Sequence, residues 1–131
     1  MRVGLLRMIG AATAAYGIAV AARPALLARP SGLTDRDGRV AEETELSLRP
    51  LAWRDAASGL ALLLAPEGPA LRTAAAVRIA SDLGDAVLLG TALRGRFRRF
   101  GVVTTAGGWA ALTLGALLAP PRDETGGRSA R

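Results

Sequence analysis

Five residue types are missing from this chain altogether: it contains no Cys, no His, no Lys, no Asn and no Gln. Without Cys there is no disulfide, no thiolate nucleophile and no sulfur ligand for a metal. Without His there is no imidazole base, which excludes a Ser-His-Asp relay and the usual nitrogen and sulfur zinc site. No metal and no cofactor is therefore expected. The lack of Lys makes every basic side chain an Arg, which stays protonated and grips a carboxylate with a planar two-pronged fork. Aromatics are sparse as well, with two Trp, two Phe and one Tyr.

What remains is apolar and basic. Half of the 131 residues are apolar, and 17 arginines against 11 acidic residues give a net charge of +6. This length allows one domain, 1–131. The weight of Ala, Arg and Gly matches the coding bias of high-GC bacteria.

Four apolar runs organise the chain. The first, Val3 to Ala22, holds one charge, Arg7, and as a helix would be about 30 Å long, the thickness of a bilayer's hydrocarbon core. The second, Leu51 to Ala65, lies between Pro50 and Pro66. With Ser47 as N-cap and Pro50 in the first turn, it extends to about 48–65 and just spans. The third, 70–93, is the longest and carries Arg78, Asp82 and Asp85 inside it. The fourth, 101–119, has no charge and stops at Pro120-Pro121, which cannot continue a helix. The expected fold is all-α, a four-transmembrane-helix bundle with a cytoplasmic loop 23–47 and a polar C-terminal tail 120–131. A soluble bundle would need a polar stripe on every helix. The fourth run offers only Thr104, Thr105, Thr113 and the indole of Trp109.

Arg2 and Arg7 ahead of an apolar core, with Ala19-Val20-Ala21 behind it, also fit a signal peptide. The run is long for a signal core, so an uncleaved first helix is expected. With four spans, nine arginines (23, 29, 36, 39, 49, 94, 96, 98 and 99) fall in the first and third connections, and five (2, 72, 122, 128 and 131) fall on the other side. The positive-inside rule then places the richer connections in the cytoplasm and both termini outside a bacterial cytoplasmic membrane. Between two spans, the segment RGRFRRFG (94–101) reads as an orientation signal or a contact with anionic headgroups, and no nucleic-acid partner is expected. The Asp35-x-Asp37-Gly38 fragment lacks the further ligands of a calcium loop.

Charges at membrane depth cost about 2.5–3.5 kcal/mol each on insertion scales, so each needs a partner or a wet cavity. Arg78, Asp82 and Asp85 are spaced by four and three residues and share one helix face. Arg54 and Asp55 are adjacent, so they point in different directions and are not expected to satisfy one another well. Counting at ~1.5 Å per residue places Arg54, Asp55, Asp85, Tyr16 and Trp109 about 9–12 Å from the cytoplasmic ends, with Arg7 and Arg78 near 22 Å. Arg7, Arg54 and Arg78 balance Asp55, Asp82 and Asp85, so a fully paired network would be neutral. The candidate polar core is thus Arg54, Asp55, Arg78, Asp82, Asp85, Tyr16 and Trp109. Arg54 is expected to meet Asp85 or Asp82 across two helices, which fixes packing. The same cluster fits the lining of a site for a small or lipid-like apolar molecule or a proton. Small residues line the first run at Gly10, Ala14, Gly17 and Ala21, and the fourth at Gly101, Thr105, Gly108, Ala111 and Gly115. Both rows fit close packing within one chain or between copies in a homo-oligomer.

The stretch WRDAASGLALLLAPEGPALRTAAAVRIASDLGDAVLLGTAL, Trp53 to Leu93, resembles a family of small bacterial four-helix integral membrane proteins described only as a domain of unknown function. The features carrying the resemblance are Arg54-Asp55, the GLALLLAPEGP turn, Asp82 and Gly84-Asp85, together with the early Arg23-Pro24. They cover about a third of the chain. The resemblance implies a four-helix membrane fold and no particular activity. The function expected is a structural or small-ligand-binding membrane module in contact with lipids. The alternatives are a proton-coupled carrier and a membrane enzyme using Asp as general acid on an apolar substrate.

Overall fold

The computed structural model describes residues 1–92 and 95–120. In chain order the helices are α1 (Val3–Ala22), α2 (Ala25–Ala28), α3 (Glu42–Leu64), α4 (Pro69–Ala92) and α5 (Arg96–Leu118). Among the described residues there is no strand, and the fold is all-α. Leu93, Arg94 and the tail beyond Pro120 lie outside the described residues.

The four long helices run alternately up and down. At one end, the Arg2 amide donates to the Ala116 carbonyl at 2.8 Å, and the N-terminal ammonium donates to the Ala119 carbonyl. Both ends of the described chain meet there, beside the turn from α3 to α4. That turn is the Pro66-Glu67-Gly68 step, where Gly68 has φ +100°, a left-handed value that a side chain would strain. Opposite lie the long connection from α1 to α3, which contains α2, and the short connection at Gly95 between α4 and α5.

α1 and α3 pack most closely, because glycines let their backbones meet. A Cβ on Gly17 would lie 2.5 Å from the Ala56 nitrogen, and one on Gly59 would lie 2.5 Å from the Ala14 nitrogen, distances no real side chain adopts. The row Gly10, Ala14, Gly17 is therefore a seam within this chain. On α5, by contrast, Gly101, Gly108 and Gly115 have nothing within 4 Å of an added Cβ. α4 packs mainly on α5, with Gly90 against the Val103 side chain. The long helices pack chiefly as two pairs, α1/α3 and α4/α5. They are joined at the terminal end by a core of Leu6, Ile9, Leu62, Leu71, Ala75 and Ala116.

Two expected boundaries move. α3 begins at Glu42 instead of 48, inside the segment expected to be loop, because Glu42, Glu43 and Glu45 in its first turn complement the positive end of the helix dipole. Ser47 is therefore not an N-cap; its hydroxyl donates to the Glu43 carbonyl at 2.8 Å. Pro50 sits inside the helix and withholds an N–H from the Leu46 carbonyl, at a point where both residues are exposed. α5 begins at Arg96 rather than 101, directly after Gly95, whose φ is +112°. The loop before α3 contains an Asx turn, in which Asp35 Oδ1 accepts the amides of Asp37 and Arg39 at 2.9 and 2.8 Å.

Among the described residues, two stretches are long and apolar enough to cross a membrane, Val3–Ala22 and Arg99–Leu118; α3 and α4, expected to span as well, are not among them. Exposure adds a second fact. No exposed position is charged on α1 from Gly4 to Ala22, on α3 from Trp53 to Leu64, on α4 from Thr73 to Thr91 or on α5 from Gly101 to Leu118. Trp53, Leu60, Val77, Leu83, Val87, Leu88 and Leu112 stand on that outer surface instead.

Candidate functional site

The mid-helix charges of α3 and α4 join into one chain of ion pairs. Its first link is the step of four from Arg78 to Asp82 on α4. Arg78 Nε donates to Asp82 Oδ2 at 3.1 Å and Nη2 to Asp82 Oδ1. Arg78 Nη1 crosses to α3, donating to Asp55 Oδ1 and to Ser58 Oγ, both at 3.0 Å. Arg54 then links Asp55 to Asp85. Its Nη1 and Nη2 donate to Asp85 Oδ1 and Oδ2 at 3.1 and 2.6 Å, while Nε and Nη2 reach Asp55 Oδ1 at 3.3 and 3.0 Å. Each guanidinium thus holds one α4 carboxylate in a two-pronged pair and shares Asp55 with the other guanidinium.

The expected partnership of Arg54 is resolved in favour of Asp85. Three expectations change. Arg54 and Asp55, although adjacent, do bond, because the long Arg side chain curls back to its neighbour's carboxylate. Arg78 joins the layer of Asp55 despite starting deeper by residue count, since its side chain reaches along α4 as well as across to α3. Arg7 is not in the network. It donates instead to the carbonyls of Leu63 and Ala65, closing the C-terminal end of α3. Without Arg7, three carboxylates face two guanidiniums, and the cluster carries a formal charge of −1 rather than being neutral.

Burial is uneven. The Arg78 side chain is only 3% exposed and that of Asp82 10%, whereas Arg54 is 39% exposed. Asp55 is the open carboxylate. One oxygen accepts three N–H donors, while among the described residues no donor reaches Oδ2, and that atom is not sealed from the surface.

A cavity of about 540 Å³ lies against this network, in the half of the bundle away from the terminal end. Asp55, Arg78, Asp82 and Asp85 form its polar wall. Ala12, Thr13 and Tyr16 of α1 and Gly101, Val102, Thr105, Ala106 and Trp109 of α5 line the remainder. Tyr16 and Trp109, expected in the interior, line this space but are 49% and 36% exposed. Its far side is closed by Leu27 of α2 with Pro30 and Ser31. Sequence reasoning did not find this roof, because the segment from Arg23 reads as a solvated loop. It also missed Ser58, whose three-residue step from Asp55 is the one signal that was available.

The chemistry on offer is hydrogen bonding, charge pairing and proton exchange among carboxylates, next to mostly apolar walls. Searches of family models, curated proteins and solved structures find nothing that matches this chain.

Proposed function

We propose that this protein is a multi-pass membrane module of the bacterial cytoplasmic membrane, with α1, α3, α4 and α5 spanning, that binds a small or lipid-like apolar molecule in the cavity beside the Arg/Asp network. The observation that carries the reading is the sorting of charge: mid-helix charges face inward beside a cavity, while the exposed positions of the stretches 4–22, 53–64, 73–91 and 101–118 are uncharged and the exposed charges stand near the helix ends. A water-soluble bundle sorts the other way. The mid-helix charges of α3 and α4, Arg54, Asp55, Arg78, Asp82 and Asp85, pair with one another, which is what charges at membrane depth require. Around the α4–α5 connection, Phe97 is 95% and Phe100 73% exposed beside Arg96 and Arg99, a composition suited to a cytoplasmic headgroup layer.

The test is native mass spectrometry after gentle extraction of the membrane fraction in a neutral detergent. A retained species of a few hundred daltons is expected, lost when the cavity is filled by Ala106→Phe. Recovery of the protein in the soluble fraction without detergent would sink the membrane assignment. Bare protein under every extraction condition would sink the ligand.

A proton-coupled carrier is the second reading, favoured by the way the ion pairs bridge α3 and α4, and so the two helix pairs. It predicts uptake by proteoliposomes driven by a pH gradient and lost in Asp82→Asn or Asp85→Asn. Equal uptake with and without the gradient would dismiss it.

A further inference from the structure

We propose that the molecule held in this cavity is an organic monocation with an apolar body, such as a lipophilic amine or a quaternary ammonium, and that Asp55 anchors its charged head. The inference rests on the ligand-binding reading above and names the class of ligand. Both guanidiniums are already committed to paired carboxylates, Arg78 to Asp82 and Arg54 to Asp85. Asp55 is the surplus carboxylate, a residue of the polar wall whose Oδ2 accepts from no donor among the described residues. One positive charge placed there brings the cluster from −1 to zero, the balance that a low-dielectric surrounding favours.

The other walls select the body of the ligand. They are apolar or weakly polar, and they include the Tyr16 and Trp109 rings, whose faces attract an alkylated cation. A bare inorganic cation is poorly served. It needs several oxygen ligands, and Asp55 offers one free oxygen while Asp82 and Asp85 have both of theirs engaged. An anion would face the net negative charge with no guanidinium uncommitted.

The experiment uses two probes of the same shape. Benzyltrimethylammonium and neopentylbenzene differ in one atom, a charged nitrogen for a neutral carbon. Binding is read from Trp109 fluorescence in the full chain carrying Trp53→Phe, in neutral detergent, with and without Asp55→Asn. The cation is expected to bind about tenfold or more tightly than its isostere, and the preference is expected to vanish in Asp55→Asn while helical circular dichroism is unchanged. Equal affinity for both probes overturns the cation and leaves the apolar cavity standing. A preference that survives in folded Asp55→Asn overturns the anchor. Failure of both probes to bind removes the ligand-binding reading itself. If Asp55→Asn does not fold, benzylsulfonate replaces the variant as the control: binding of this anion as tight as that of the cation overturns the proposal.

Discussion

At the scale of single residues, the same substitution should have opposite effects on two helices. Gly59→Ala drives a methyl group into the Ala14 backbone and should lower stability by about 1–3 kcal/mol. Gly108→Ala meets open space and gains helix propensity, so it should be neutral or stabilising by up to ~1 kcal/mol. Thermal unfolding in neutral detergent separates the two. Arg78 has a sharper dependence on its partner. Arg78→Leu strands the buried Asp82 carboxylate and should destabilise by about 3–5 kcal/mol, whereas adding Asp82→Leu to it should recover much of that loss. If the double variant is no more stable than the single one, the pair is not what makes Arg78 necessary.

At the scale of helices, Pro50 is the feature to probe. Pro50→Ala restores an N–H to the exposed Leu46 carbonyl and should stabilise α3 by about 2 kcal/mol, after allowing for a more flexible unfolded chain. An unchanged unfolding temperature would mean that the helix has absorbed the ring at no cost. Helix boundaries also show what was legible beforehand. α1 was readable to the residue, since its apolar run ends where Arg23-Pro24 begins. The start of α3 was not, because a charged first turn looks like loop to a reading based on hydropathy. α2 was hidden for a related reason: four residues carry no periodicity. In the site, the i, i+4, i+7 spacing of Arg78, Asp82 and Asp85 was visible from the chain alone. The reach of Arg54 to Asp55 and the departure of Arg7 to the α3 carbonyls depend on side-chain length and helix ends, which spacing does not encode.

At the scale of the whole molecule, the absence of Cys becomes an experimental convenience, because single cysteines can be introduced into an otherwise native background. With four spans and the proposed orientation, Glu67→Cys in the α3–α4 turn should react with a membrane-impermeant maleimide added to intact cells. Asp37→Cys, in the loop before α3, should react only after lysis. Both positions are exposed and neither has a positive φ, so neither thiol is shielded or strained. Labelling of both from one side would rule out the up-and-down crossing.

The helix pairs meet tightly around Leu6, Leu62 and Leu71 but leave the opposite half hollow, roofed by α2. At that level, Ala12 and Tyr16 on α1 and Gly101, Thr105 and Trp109 on α5 are all exposed as well as lining the hollow, so its mouth lies at the side, between the first and last helices. Under the membrane reading proposed above, a solute dissolved among acyl chains would reach Asp55 sideways and leave by the same doorway, without crossing the aqueous phase.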